Sequence, residues 1–90
     1  MHPTYTDHAR ARMQQRGIDQ TAIDCLLEFG TQRHDGRGAV VVYLDKRAQR
    51  RLLRERRLAP AEMERIRRFY VVLADGAIVT TGHRYARVHR

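Results

Sequence analysis

Two histidines and three arginines are the side chains best suited to act on a phosphodiester. His8, Arg12 and Arg16 are spaced by four residues, which places them on one side of a helix. His83 and Arg84 follow the last stretch with β-strand character. RNA cleavage without a metal needs a base for the 2′-hydroxyl proton, an acid for the leaving oxygen and cations for phosphate. We therefore predict His8 and His83 as acid–base residues and Arg12, Arg16 and Arg84 as phosphate ligands.

The first arginine-rich helix admits a second interpretation. Helical spacing places Arg16 within the apolar stripe of Ala9 and Met13, where it would need a carboxylate, carbonyl groups or a bound anion, because burying an unpaired charge is costly. Alternatively, Arg12 and Arg16 extend along the helix to solvent and His8 is a polar residue of the first turn. The spacing alone does not separate these two hypotheses.

Aromatic residues and a basic helix extend the candidate surface. Tyr43 and Tyr85 are candidate stacking platforms for an unpaired base. Seven of the twelve residues from Lys46 to Arg57 are basic, so a helix here could lie along a nucleic-acid backbone. Two alternatives stay open: a solvated basic face partly relieved by nearby glutamates, and a docking surface for an acidic protein. The cations predicted to contact the backbone are Arg47, Arg50, Arg51 and Arg54.

Neither a metal centre nor a bound cofactor is expected. The five histidines show no close ligand spacing and no cluster of carboxylates accompanies them. Cys25 stands beside Leu26 on a predicted helix, which is typical of a buried, unreactive thiol. The Gly-x-Ser-x-Gly motif of serine hydrolases is absent from the sequence.

The string H-A-R-x-R-M-x-x-R-G-I over residues 8–18 resembles the bacterial domain-of-unknown-function family 4258. That family is similar to the small RelE-type toxin ribonucleases. The resemblance covers residues 5–44 and 69–84 and implies a helix pair on a small antiparallel sheet. The residues that carry over by motif are His8, Arg12, Arg16 and Gly17, with Thr80 on the strand that corresponds to the family's Thr-rich ending.

The same resemblance bears on the end of the chain and on its middle. RelE-like enzymes generally work through a few basic and aromatic residues on the sheet face, and His83-Arg84-Tyr85 is similar in kind. The segment from Lys46 to Arg68 departs from the family's pattern and is interpreted as a helical insertion.

Composition limits the classes of partner. The chain has 90 residues, a net charge of +8 and a pI near 11.0, which favours nucleic acid, an acidic protein or an anionic membrane. Seventeen arginines and one lysine carry the positive charge, a bias that suits phosphate recognition and that a GC-rich genome also produces. One cysteine excludes an intrachain disulfide, and no apolar run resembles a membrane span or signal peptide. We expect a cytoplasmic protein.

Caps and hydrophobic runs predict one α+β domain over residues 1–90. Thr6 and Asp19 are N-cap candidates for two helices that end at Gly17 and Gly30. The Asp75-Gly76 pair predicts a hairpin between two apolar runs, the second of which has Val79, Thr81 and His83 on one face and Ile78 and Thr80 on the other. The predicted segments are a helix pair at 5–30, first strands at 31–44, a basic helical insertion at 45–68 and a C-terminal hairpin at 69–84. Two N-terminal helices should pack on an antiparallel sheet of about four strands.

The residues and the family resemblance together favour an RNA-binding RelE-like protein. Its enzymatic form would be a metal-independent endoribonuclease toxin that acts free or on the ribosome and is paired with an acidic antitoxin. One alternative is a non-catalytic nucleic-acid-binding or regulatory module. Another is a basic interaction domain for an acidic partner. The distance between His8 and His83 decides whether a two-histidine mechanism is geometrically possible.

Overall fold

Five strands form one sheet, and the helices pack on one of its faces. The protein is described from a computed structural model that covers residues 3–84. The strand order is β1-β5-β4-β3-β2, with β1 parallel to β5 and all other pairs antiparallel. The elements are β1 (Thr4–Tyr5), α1 (Asp7–Arg16), α2 (Gln20–Phe29), β2 (Thr31–His34), β3 (Ala39–Tyr43), α3 (Lys46–Arg56), α4 (Pro60–Ile66), β4 (Phe69–Ala74) and β5 (Ala77–His83).

Side-chain caps begin α1 and α2, as the sequence predicts. The Thr6 hydroxyl accepts the N–H of Ala9 at 3.1 Å, and the Asp19 carboxylate accepts that of Ala22 at 3.0 Å. Gly17 ends α1 in the left-handed region with φ of 67°. Because Asp19 follows this glycine after a single residue, α1 and α2 cannot continue as one helix and pack at an angle.

The core lies between α2 and the sheet. Four buried residues of α2 recur at helical spacing and form its inner face: Ala22, Ile23, Leu26 and Phe29. They belong to one apolar cluster with Val42, Val71 and Ile78 of the sheet. Helices α3 and α4 contact α2 and add Leu52, Met63 and Ile66 to the same cluster. One core thus fixes the helical layer and leaves the other sheet face free of helices.

A β-bulge in β5 overturns the predicted alternation of that strand. Ile78 and Thr81, predicted on opposite faces, are both buried, with exposures of 0% and 1%. Val72 pairs with Thr80 and Leu73 with Ile78, so Val79 has no partner on β4. The extra residue shifts the phase of the alternation and turns both Ile78 and Thr81 toward the core.

The fifth strand, β1, is also absent from the sequence prediction of about four strands. It contains two residues, too few to show the alternation of apolar and polar side chains from which a strand is predicted. Immediately after it, the N–H of Thr6 donates to the Ile78 carbonyl at 3.0 Å and its hydroxyl to the Val79 carbonyl at 3.2 Å. Thr6 therefore caps α1 and attaches the start of that helix to the bulge in β5.

Arginine side chains help to hold α3 against α2. Only Ala48 and Leu52 of α3 are buried. The guanidinium groups of Arg51 and Arg56 lie 5.0 and 5.5 Å from the centre of the Phe29 ring, and Arg56 also pairs with Glu28. Cation–π contacts and an ion pair thus add to a limited apolar contact.

Asp45 should be a measurable contributor to stability because it caps α3. Its carboxylate accepts the N–H of Ala48 at 2.8 Å. We expect Asp45→Ala to lower the free energy of unfolding by about 1 kcal/mol, and Asp45→Asn, which keeps an acceptor, to lower it by less. Urea unfolding at neutral pH measures both changes. Equal unfolding midpoints for wild type and Asp45→Ala would contradict the role of the cap.

The same residue predicts a pH dependence with a defined sign. The hydrogen bond from Ala48, followed by one from Thr31, lowers the pKa of the Asp45 carboxyl. A lowered folded-state pKa stabilises the protein above the ordinary carboxyl pKa, and this contribution is lost as the pH falls through the lowered value. The difference in stability between wild type and Asp45→Asn should therefore shrink in acid.

Within residues 3–84, no helix is both long enough and apolar enough to cross a membrane.

Candidate nucleic-acid interface

The open face of the sheet, opposite the helices, carries the aromatic residues of the candidate interface. Val42 and Val71 are paired across β3 and β4 and buried beneath the helices. Side chains alternate along a strand, so the next cross-strand pair, Tyr43 and Tyr70, lies on the open face. Both tyrosines are half-buried. Two neighbouring rings therefore face outward where no helix covers the sheet.

A shallow groove of about 630 Å³ crosses this face. Its floor includes the two tyrosines, and Arg33 of β2 stands on the same face because it pairs with Val41. The lining residues are Arg33, Val41, Tyr43, Tyr70, His83 and Arg84. The groove thus combines two aromatic rings with two guanidinium groups.

Gly82 allows the Tyr70 ring to lie close to β5. A Cβ atom at Gly82 would approach the Tyr70 hydroxyl oxygen to 3.0 Å and the ring carbon Cε2 to 3.1 Å. The Thr81 hydroxyl donates to the Tyr70 carbonyl at 2.5 Å and adds a cross-strand bond at the same place. The absence of a side chain at residue 82 therefore lets the Tyr70 ring lie directly against β5.

Arg84 is positioned by its backbone and by its side chain. Its N–H donates to the Arg68 carbonyl at 2.5 Å, which extends the β4–β5 pairing. Its guanidinium lies 4.7 Å from the centre of the Tyr43 ring and donates through Nη1 to the Leu44 carbonyl at 3.0 Å. Among the described residues, these partners are a ring and neutral carbonyls rather than carboxylates. The positive charge is thus held in place without being neutralised.

His83 contributes to the groove, but its ring is tied to the helical side of the sheet. It pairs with Phe69, which is buried, and the two rings meet edge-on with centres 5.0 Å apart. Residues directly opposite each other in an antiparallel pair share a face. The imidazole therefore lies beside the core face rather than over the tyrosines.

The two predicted acid–base histidines have different surroundings. His8 is exposed on α1, where Arg12 Nε donates to its Nε2 at 3.5 Å. Thr6, two residues earlier, is bonded to Ile78 and Val79, whereas His83 is the last residue of β5. Strand rise puts roughly 13 Å between Val79 and His83. Within residues 3–84, no hydrogen bond or ring contact links the two histidines.

The predicted phosphate ligands of α1, Arg12 and Arg16, do not line the groove. Arg12 is half-buried, and Arg16 is exposed at the last residue of the helix. The prediction that Arg16 falls on the core side is wrong. Arg16 is the last residue of α1, and the buried residue of this helix is Ala9, two turns earlier. The alternative, in which the side chain extends into solvent, is what the structure shows.

The predicted backbone-contacting arginines of α3 divide into two groups. Arg47, Arg50 and Arg54 are exposed and make no ion pair within residues 3–84. Arg51 instead pairs with Glu55 at 3.1 Å and lies over Phe29. All four are exposed, and three of them are without an ion pair in this part of the chain.

Tyr70 and Arg33 belong to the groove but were not singled out from the sequence. Tyr70 stands in an apolar run, and only the register with β3 places it beside Tyr43. Arg33 stands in a four-residue strand with three polar neighbours, where its outward direction depends on pairing with Val41. Tyr85, predicted as a stacking residue, lies outside the described residues.

Other reactive side chains form no alternative centre in the described part of the chain. No group of three or more His, Cys, Asp and Glu residues there could hold a metal ion. Cys25 is half-buried rather than fully buried, and burial is the main cause that raises the pKa of its thiol. A raised pKa disfavours the thiolate that a nucleophile requires.

Comparison with known proteins identifies a family. Neither the curated proteins nor the solved structures yielded a match to this chain. The match to a family covers residues 5–81, which include the helices α3 and α4 that the sequence analysis interpreted as an insertion departing from the family. The chain belongs to the family described as Domain of unknown function (DUF4258).

Proposed function

We propose that this protein binds single-stranded RNA on the open face of its sheet. The observation that carries the proposal is the Arg84 guanidinium stacked 4.7 Å from the Tyr43 ring, in a groove that also contains Tyr70 and Arg33. Rings supply surfaces on which bases stack, and guanidinium groups supply bidentate donors to phosphate. The groove has both within one depression.

The aromatic pair favours an unpaired strand over a duplex. Bases can stack on tyrosine only when they are free of their own helix, and sequence-tolerant binding of single strands commonly uses such rings beside cations. Tyr43 and Tyr70 are adjacent across the sheet, which suits two successive bases.

Charge supports the same partner. The net charge of +8 attracts a polyanion at long range, while Arg33 and Arg84 place cations at the groove itself. Arg84 makes no ion pair in the described residues, so phosphate would not need to displace a carboxylate from it. Affinity in this arrangement should fall as the salt concentration rises.

Binding is favoured over cleavage by the placement of the histidines. A two-histidine mechanism needs both imidazoles at one phosphate, and His8 and His83 share no contact within the described residues. We therefore favour the non-catalytic nucleic-acid-binding form of the hypothesis. A relationship to RelE-type ribonucleases, a toxin role and an acidic antitoxin partner stay predictions.

Removing the charge of Arg84 should weaken RNA binding. We expect Arg84→Gln to raise the Kd for single-stranded RNA by about tenfold, because a charged hydrogen bond contributes roughly 1.5–3 kcal/mol. The slope of log K against log salt should become shallower by about 0.7. Fluorescence anisotropy with end-labelled oligouridine in EDTA measures both quantities.

Arg10→Gln is the matched control. Arg10 also lies over a tyrosine, 5.5 Å from the ring centre of Tyr5, but on the side of α1. Equal losses of RNA affinity in the two variants would show that only net charge matters and would contradict binding at the groove. Gel analysis of the same samples detects cleavage, and an oligodeoxyuridine arm shows whether the 2′-hydroxyl contributes.

A further inference from the structure

We infer that the bound strand continues from the open face past Arg84 and along the outer side of α3, so that the protein has an extended phosphate track. This inference rests on the proposed function, because it concerns where the same RNA goes. It is carried by a second depression that meets the groove at Arg84, and by the arrangement of cations on α3 beyond it.

The basic cleft is a depression of about 390 Å³ between the start of α3 and the segment after α4. Its charged lining residues are Asp45, Lys46, Arg67, Arg68 and Arg84. Arg84 lines both this cleft and the groove, and it donates to the Leu44 carbonyl between them. An RNA strand that leaves the two tyrosines would therefore meet Arg84 and then the other cations of the basic cleft.

The carboxylates near the basic cleft are already occupied. Asp45 caps α3, and Glu64 pairs with Arg67 and with Arg68. When Glu64 is counted with the lining residues, four cations and two carboxylates leave a net charge of +2. The local field favours an anion such as phosphate.

The α3 stripe, defined as Lys46, Arg50, Arg54 and Arg57, continues the track. Lys46, Arg50 and Arg54 are spaced by four positions, so they lie on one side of the helix, and Arg57 is the C-cap residue that follows its last turn. All four are exposed and make no ion pair within residues 3–84. Lys46 also lines the basic cleft, which makes the stripe continuous with it. The helical part of the stripe, from Lys46 to Arg54, extends over roughly 12 Å.

The α3 stripe is separate from the arginines that hold α3 in place. Arg51 and Arg56 lie over Phe29 on the side facing α2. The helix thus uses one set of arginines for packing and leaves another set in solvent. Repeated cations with no carboxylate among them suit a repeated anion, and a phosphate backbone is such a ligand.

The test compares two lengths of RNA and two matched variants. An oligouridine of about 4 nucleotides should occupy the groove alone, whereas one of about 12 should also reach the α3 stripe. Wild type should bind the longer oligomer more tightly and with a steeper salt dependence. Arg50→Gln/Arg54→Gln should weaken binding of the longer oligomer by about tenfold and make its salt slope shallower by about 1.4, while affinity for the shorter one stays unchanged.

The control variant Arg10→Gln/Arg37→Gln removes the same charge from exposed positions away from the track. It should not alter the preference for the longer oligomer. Equal wild-type affinities at matched nucleotide concentration, or an equal loss in the control, would overturn the track but leave binding at the groove intact. Absence of RNA binding at either length would overturn the proposed function and the track together.

Discussion

Replacing both tyrosines of the groove should reduce affinity for single-stranded RNA by about a hundredfold. Tyr43 and Tyr70 are opposite each other on β3 and β4 and line one groove. Stacking contributes roughly 1–3 kcal/mol per base, so losing two platforms should cost about 2–6 kcal/mol, a range that includes the roughly 2.8 kcal/mol of a hundredfold loss. The variant Tyr43→Leu/Tyr70→Leu keeps apolar side chains on the sheet but removes both rings. Anisotropy titrations with a short oligouridine measure the loss.

Tyr5→Leu is the control for this variant. Tyr5 packs against the core beside β5 and donates to the side chain of Gln20 at 2.9 Å, so it is a tyrosine of the helical side. Its replacement should leave RNA affinity unchanged. Thermal unfolding of each variant separates binding from stability, since a cross-strand aromatic pair contributes about 0.2–1 kcal/mol. Unchanged binding by a folded double-tyrosine variant would contradict the proposed interface.

The salt dependence of the same double variant distinguishes stacking from charge. Arg33 and Arg84 remain, so the number of phosphates contacted should be similar and the slope of log K against log salt should change little. Arg84→Gln, in contrast, should change the slope. A double-tyrosine variant that loses slope as well as affinity would show that the rings position Arg84, which lies over Tyr43, rather than stack on bases.

Local patterns predicted the helices well because their signals lie within a few residues. Thr6, Asp19 and Asp45 are N-cap residues. Each side chain accepts the N–H of the residue three positions later in the chain. The Asp75-Gly76 hairpin is likewise present, with positive φ at both residues. Such features depend on the nearest turn of chain and require no knowledge of the tertiary fold.

The candidate site was predicted less well because it depends on strand register. Tyr43 and Arg84 were singled out, but their partners Tyr70 and Arg33 come from different strands. His8 and His83 each have a suitable side chain, but the position of His83 beside Phe69 follows only from the pairing of β4 with β5. The bulge at Val79 likewise results from pairing with β4 and has no local sequence pattern.

Gly30 illustrates how a correct local prediction can have a different physical cause. The sequence predicts it as the residue that ends α2, and it does so, but with φ of −69° and ψ of 152°. This extended conformation is open to any residue, so backbone freedom is not the reason for glycine. A Cβ at this position would overlap the Leu26 carbonyl oxygen and the Val42 side chain. Gly30 is required because α2 ends in direct contact with β3.

Gly30→Ala should therefore be strongly destabilising. The overlap involves a backbone carbonyl, which no side-chain rotation can relieve, so α2 must move relative to β3. We expect a loss of about 3 kcal/mol in the free energy of unfolding and a fall in Tm of roughly 12 °C or more. Differential scanning calorimetry and urea unfolding measure these changes.

Gly36→Ala provides the comparison that isolates the steric cause. Gly36 has φ of +81°, and a Cβ atom added there would meet no other atom within 4 Å, so alanine brings backbone strain without a collision. Gly36→Ala should lower the free energy of unfolding by about 1 kcal/mol. A Gly30→Ala variant no less stable than Gly36→Ala would contradict the close contact. Because the added methyl at Gly30 would also lie 3.2 Å from the Tyr43 carbonyl, the same shift should displace Tyr43 and weaken RNA binding in the fraction that stays folded.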